Sequence, residues 1–276
     1  AAYGPAGWTA DGQGVVVMHE SDPWLAPLDG SAPSNLTGGF GSKNEIRLRY
    51  INTTSTEGMG PLERAKASSI DPTRPMLLSA YGQWTKKSGY FELREGKLGE
   101  LVYQDAQYGP VTKAAKADRY LFTRETFVEF PDLRVSGPTF SDARKITDAN
   151  PQQAEYAWGH QILFDFANKK GVRLQGILAL PDDYKPGEKR PMLVTFYEKN
   201  SQNLHRYLAP AFLPSMGRMP MQAVSKGYIT MLPDVHFNTG TSHSDMLESV
   251  EAATRKVIAM GYADPALNYA VHTVFR

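Results

Sequence analysis

Cysteine is absent from the 276 residues, which excludes a disulfide framework, a cysteine-ligated zinc site and a cysteine nucleophile. The compartment stays open, because a large core needs no disulfides anywhere. Long apolar runs are missing as well: none approaches the ~18–20 residues of a membrane span. The segment Ala1-Ala2-Tyr3-Gly4-Pro5 has neither the basic nor the apolar region of a secretory leader. Neither a membrane protein nor an intact secretory precursor is expected. Nor is there an excess of charge. Lys and Arg number 30 against 29 Asp and Glu, a formal net charge of +1, so no nucleic-acid partner is expected, since that requires a clustered basic surface. What the chain does have is aromatics, at 11 %, too many for a disordered chain. Its 24 glycines and 19 prolines exceed the usual share of about 12 % and imply frequent turns. The length fits one large domain or two ordinary ones.

Residues 1–155 read as short β-rich runs cut by turn residues. Val15-Val16-Val17-Met18-His19 is entered through Asp11-Gly12, a dipeptide that tolerates the positive φ of a tight turn. Pro23-Trp24-Leu25-Ala26-Pro27-Leu28, Asp29-Gly30 and Asn35-Leu36-Thr37 continue the alternation of strand and turn. It returns in Met76-Leu77-Leu78-Ser79-Ala80-Tyr81 and Gly89-Tyr90-Phe91-Glu92-Leu93. Further on come residues 119–123, 127–130, 133–135 and 145–147. Strands at this spacing predict β-propeller blades of roughly ~40–50 residues each, fewer than four of them before residue 160.

Beyond the boundary near residue 155 the texture changes. Residues 161–166 and 174–180 predict an antiparallel pair with a turn at 168–171. Met192-Leu193-Val194-Thr195-Phe196-Tyr197 and Tyr228-Ile229-Thr230-Met231-Leu232 are nearly continuous apolar runs, as in strands buried on both faces. Residues 245–260 place Leu247, Val250, Val257 and Ile258 at helical spacing. Ser242 and Asp245 have capping-box spacing, and Gly261 stands where a C′ glycine belongs. Residues 267–275 predict one more strand. Strands alternating with a helix imply an α/β layer.

Two stretches carry a family likeness. One is Gly176-Ile177-Leu178-Ala179-Leu180-Pro181, then Tyr184-Lys185-Pro186-Gly187-Glu188-Lys189-Arg190-Pro191 and the run ending at Tyr197. The other is Gly227-Tyr228, Leu232-Pro233-Asp234-Val235, the helix, and Gly261-Tyr262-Ala263-Asp264-Pro265. In order and spacing they resemble the prolyl oligopeptidase family of serine peptidases, which includes dipeptidyl aminopeptidases and acylaminoacyl peptidases. The resemblance covers essentially the whole chain. It implies a partial β-propeller over 1–155, then over 156–276 the start of an α/β-hydrolase fold truncated before the nucleophile elbow. It further implies hydrolysis of short peptides through an acyl-enzyme, with the propeller restricting access, and no cofactor. Tyr197 matches the tyrosine that, by this resemblance, donates to the oxyanion; Glu198, Lys199, Asn200 and Ser201 stand where several relatives have a Gly-rich turn. A strand-end tyrosine is otherwise a boundary residue with a wet hydroxyl.

In this family a G-x-S-x-G elbow follows the strand after Asp-Pro, and the triad Asp and His come later still. No G-x-S-x-G occurs in the 276 residues. The expectation is an internal fragment, lacking the catalytic Ser, Asp and His and inactive alone. The rival reading is a non-catalytic propeller interaction protein with a remnant hydrolase segment. The sequence assigns no oligomeric state and no compartment.

Other motifs have plainer readings. Ser242, His243 and Asp245 lie too close together to form a triad, which needs side chains from separate elements; helix capping accounts for Ser242 and Asp245. His236 and His243 lack a third ligand and read as solvated loop histidines. His205 and Arg206 either contact substrate or open a solvent-facing helix. The triplets at Asn35 and Asn52 match a glycosylation sequon and imply nothing about secretion. Gly38-Gly39-Phe40-Gly41-Ser42-Lys43 lacks phosphate-loop spacing and reads as an inter-blade loop.

Overall fold

The computed structural model describes residues 3–54, 58–209 and 219–272. It divides into two compact units, one of Ala1–Arg124 with Pro131–Asp148, the other of Glu125–Phe130 with Ala149–Arg276.

The first unit holds three successive antiparallel meanders. β1 (Pro5–Trp8), β2 (Gly14–Met18), β3 (Pro23–Pro27) and β4 (Ser34–Asn35) form the first. β5 (Ile46–Tyr50), β6 (Met76–Gly82), β7 (Ser88–Arg94) and β8 (Lys97–Gln104) form the second. The third is β10 (Thr112–Lys113), β11 (Tyr120–Glu125), β12 (Leu133–Ser136) and β13 (Arg144–Lys145), with the short β9 (Gln107–Tyr108) also paired to β11. Period-two alternation is clearest in β6, where Met76, Leu78 and Ala80 point inward. β5 alternates likewise, with Ile46 and Leu48 buried, whereas β8 has no buried residue. Val16 and Met18 pack with Leu48, Leu78, Phe91 and Leu93 to join the first two sheets. Tyr90, Val111, Phe122 and Phe140 form the apolar cluster at the third. Four-stranded sheets stacked in chain order are the arrangement of propeller blades.

Two expectations are corrected here. Residues 127–130 form no strand; Phe127 and Phe130 pack with Trp158 and Tyr207 in the second unit. Trp158 Nε1 donates to the Phe127 carbonyl at 2.7 Å. An apolar run before a proline suits a buried loop as well as a strand, and Pro131 cannot donate to a ladder. The glycine-rich segment contains a helical turn, α1 (Phe40–Asn44), and a short helix, α2 (Pro61–Ala67), lies between β5 and β6. The buried Asp22 carboxylate accepts from Gly41 N and Ser42 N at 2.7 and 2.9 Å, and from the Thr37 and Ser42 hydroxyls. It satisfies amide groups that a helix start leaves orphaned.

The second unit is a five-stranded mixed sheet of β14 (His160–Ala167), β15 (Arg173–Leu180), β16 (Arg190–Phe196), β17 (Ile229–Pro233) and β18 (Ala263–His272). Its spatial order is β14-β15-β17-β16-β18. β14, β15 and β17 pair antiparallel, whereas β16 runs parallel to both β17 and β18. Leu178, Met192, Val194, Ile229 and Met231 form the core against Val250, Ala253 and Val257 of α4 (Ser242–Ala259). A short helix, α3 (Met219–Val224), lies against β15 and β17. α4 ends at Gly261, φ 86°, with Gly261 N donating to the Ile258 carbonyl and Tyr262 N to that of Val257, the Schellman pattern. The last strand starts at Ala263, earlier than its apolar run suggests; residues 273–276 lie outside the described residues. No helix among the described residues is long and apolar enough to cross a membrane.

One close approach fixes the β14–β15 packing. Gly176 lies opposite Phe164, and a Cβ there would sit 2.4 Å from the ring. Gly176→Ala is expected to cost about 1–3 kcal/mol through overpacking, read from the denaturant midpoint at unchanged m-value. A change below about 0.5 kcal/mol would mean that the ring moves aside freely.

Candidate active site

Tyr197 is the first residue past the carboxyl end of β16. From β16 the chain goes to β17 on one side, then through α4 to β18 on the other side of β16. Such a reversal opens a crevice beyond the carboxyl ends of the strands. The reversal lies between β16 and β18, where Phe196 is paired with His272. Tyr197 is 55 % exposed.

The loop after Tyr197 is held by Asp234, which is buried at the end of β17. Asp234 Oδ1 accepts from Asn200 N at 2.6 Å and Ser201 N at 2.8 Å, and Oδ2 accepts from the Ser201 hydroxyl. The Asn200 side chain donates to the Pro233 carbonyl, and Val235 N donates to the Glu198 carbonyl at 2.9 Å. Two chain segments are thereby stitched together just behind Tyr197. Asp234 was visible in the sequence as part of a motif; its task of pinning the 198–201 loop was not.

His205 and Arg206 do not open a helix. They follow the 3₁₀ turn Ser201–Asn203, with His205 half-buried and Arg206 exposed. Next to them Tyr207 stacks on Trp158, ring centroids 5.2 Å apart, and Asn150 Nδ2 donates to its hydroxyl at 2.7 Å. Tyr207 N donates to Glu125 Oε2 at 3.3 Å. Burial pushes the Glu125 carboxyl above its ordinary range, opposed by the Tyr207 amide and the Arg206 charge. These contacts escape sequence reading because they join residues far apart in the chain.

No family model and no curated protein matches the chain by sequence. Solved structures do. A dipeptidyl peptidase 4 from Porphyromonas gingivalis superposes with a TM-score of 0.67 at 14 % identity, over 96 % of this chain and 37 % of its own. Prolyl oligopeptidase B from Galerina marginata gives 0.62 at 9 % identity, over 98 % and 36 %. A post-proline cleaving enzyme from Rickettsia typhi gives 0.57 at 13 %, over 97 % and 39 %. The fold is that of prolyl oligopeptidase-type peptidases. The likeness lies in the path of the backbone, and this chain spans well under half the length of each of the three.

Against that peptidase fold the Ser242, His243 and Asp245 group is structural. α4 begins at Ser242 with Thr241 as N-cap, and no side chain caps it, so the expected Ser242–Asp245 capping box does not form. The buried Asp245 carboxylate instead accepts from Lys170 Nζ at 2.6 Å, the Thr241 hydroxyl at 2.8 Å, and Asn238 N and Nδ2 at 3.0 and 3.1 Å. A residue 75 positions away thus ties the 168–171 turn to the helix. His243 is exposed in the first turn of α4, not in a loop, and His236 is half-buried. Among the described residues no group of three or more potential metal ligands forms. A cavity of about 330 Å³, lined in part by His160, Leu180, Tyr184 and Tyr262, lies at the opposite end of the sheet from Tyr197.

Asp245 makes an acid-sensitivity prediction. Lys170, then Thr241 and Asn238, hold its carboxyl far below the usual carboxylate range. A carboxyl with its pKa lowered by folding binds fewer protons in the native state. Its contribution is therefore full above the unfolded value near ~4 and is lost as pH falls through the folded value. Asp245→Asn is expected to be less stable than wild type at pH 7, with the gap in urea midpoints narrowing below about pH 4. A gap independent of pH would remove the carboxylate from this role.

Proposed function

We propose that this chain belongs to a serine-type peptidase acting on short peptides, and supplies its propeller-like unit and the first half of an α/β-hydrolase domain. The observation that carries this reading is the position of Tyr197 at the reversal point, beside the carboxyl end of β18. A nucleophile elbow is a sharp turn from strand to helix, and one placed directly after β18 would present its serine next to Tyr197. The fold likeness supports the same placement. The serine Oγ attacks the scissile carbonyl and passes its proton to a histidine base, which returns it to the departing amine. The carbonyl oxygen, carrying negative charge in the tetrahedral intermediate, accepts from the Tyr197 hydroxyl. Water then hydrolyses the acyl-enzyme. In this reading nucleophile, orienting acid and base follow β18 in that order.

The lack of G-x-S-x-G in the 276 residues favours a second reading, a propeller interaction module with no chemistry. One experiment separates the two. The 276-residue chain is expected to give no turnover of proline- or alanine-linked chromogenic peptides and no labelling by a fluorophosphonate. The natural protein extended past Arg276 is expected to label at one serine per chain. An extended protein that does not label supports the interaction module; stoichiometric labelling of the 276-residue chain contradicts both readings.

A further inference from the structure

β14 closes one side of the five-stranded sheet, and among the described residues only β15 pairs with it. Its register with β15 runs unbroken over eight residues, from His160 to Ala167. A strand edge presents N–H and C=O groups that recruit another strand, and proteins blunt such edges with short strands, lysine, proline or bulges. The other sheet edges carry these devices. β4, β9, β10 and β13 are two residues long, and β1 opens on Pro5 and shifts register before Gly7. β5 carries Arg47 and Arg49, β8 carries Lys97 and a register shift, and β18 contains Pro265. β14 has no lysine, arginine or proline. Its carboxylate, Asp165, accepts from Gln175 Nε2 at 3.1 Å and lies 3.5 Å from Arg173 Nη2, both on β15. An open edge in water is ordinary; a long one with none of these devices is not.

The order of side chains along β14 matches a second copy of itself. Ile162, Phe164 and Phe166 turn toward the core shared with α4, which leaves Gln161, Leu163 and Asp165 on the other face. Directly opposed residues of an antiparallel pair share a face. The two-fold axis of a pair of β14 strands that keeps one continuous core therefore passes through a residue and not between two. With the axis at Leu163, Ile162 meets Phe164 of the copy, Leu163 meets Leu163, and Gln161 meets Asp165, an amide donor against a carboxylate. With the axis one residue to either side, Leu163 meets Gln161 or Asp165. With the axis at Asp165, two carboxylates oppose each other, which is destabilising. Only the register at Leu163 sets apolar against apolar and polar against polar.

We propose that β14 is a self-association edge, through which two copies of this chain pair antiparallel about a two-fold axis at Leu163 and join their sheets into one. An extended peptide offers the same backbone hydrogen bonds but not this match of side chains. The inference stands apart from the peptidase reading. The absence of cysteine makes the register testable. Leu163→Cys sets two thiols opposite each other at the axis, with Cα atoms ~4.5–5.5 Å apart, inside the ~4.4–6.8 Å that a disulfide spans. The 276-residue chain is expected to sediment as a dimer at micromolar concentration, and Leu163→Cys to form an interchain disulfide on mild oxidation. Asp165→Cys by itself faces Gln161 and is expected to stay uncross-linked, whereas its mixture with Gln161→Cys is expected to cross-link. Leu163→Lys opposes two like charges and is expected to raise the dimer dissociation constant about tenfold or more. If Leu163→Lys fails to fold, the cysteine variants still read the register. A chain that stays monomeric at ~100 µM, equal cross-linking at 163 and 165, or a dimer that a folded Leu163→Lys leaves intact overturns the proposal. So does a monomer whose β14 amides gain hydrogen-exchange protection only when an extended peptide is added, which assigns the edge to a peptide.

Discussion

In the protein extended past Arg276, Tyr197→Phe is expected to lower kcat by ~10²–10³ with KM nearly unchanged. The reason lies in when the hydroxyl acts. A carbonyl oxygen in bound substrate carries little charge, so a donor aimed at it adds little to binding. The charge develops on the way to the tetrahedral intermediate, and the same donor then stabilises the transition state selectively. Phenylalanine keeps the ring and removes only the hydroxyl, and because Tyr197 is 55 % exposed the change leaves the core intact. Steady-state kinetics on a chromogenic dipeptide amide, with circular dichroism as a check on folding, reads the effect. A kcat within twofold of wild type would place the hydroxyl outside the oxyanion site, and a rise in KM alone would make Tyr197 a binding residue.

The second large effect is expected at Asp234. Asp234→Ala strips the acceptor from two backbone amides and one hydroxyl, those of Asn200 and Ser201. Orphaned buried donors are costly, and the sum is expected to reach about 3 kcal/mol or more of stability. Asp234→Asn keeps one carbonyl acceptor and is expected to fall between. Denaturant midpoints of the three proteins give the order. Hydrogen exchange should show the amides of Asn200 and Ser201 losing protection before those of β16. If Asp234→Ala matches wild type in both, the loop after Tyr197 is held by something other than this carboxylate.

Much of the second unit was legible residue by residue. The nearly continuous apolar runs became β16 and β17, with Met192, Ile229 and Met231 fully buried. The i, i+7 spacing of Val250 and Val257 became the inner face of α4, although Leu247 is exposed, and Gly261 closed the helix with a positive φ. In the first unit β2, β3, β6, β7 and β11 were equally plain, whereas β1, β5 and β8 were not singled out. Less legible were the segments where one composition serves two structures. Phe127-Val128-Glu129-Phe130 has the make-up of a strand, yet its aromatics are consumed by Trp158 and Tyr207. Gly38 to Lys43 has the make-up of a loop, yet Asp22, some twenty residues earlier, stabilises a helical turn in it.

The sequence by itself located β14 to β17 and α4, because alternation, continuous apolar runs and 3.6-residue spacing record burial along a single element. It also determined what chemistry the chain lacks, in the absent cysteine and the absent G-x-S-x-G. The tertiary structure alone decided that β17 inserts between β15 and β16, which puts the reversal point of the sheet next to Tyr197. It alone decided the duties of three aspartates. In sequence Asp245 reads as a cap residue and Asp234 as part of a motif, and Asp22 carries no signal. In the fold each becomes the buried acceptor for groups up to 75 residues distant. Which donors reach a carboxylate depends on how distant segments close upon one another, and local composition, which reports only a residue's immediate neighbours, does not encode that closure.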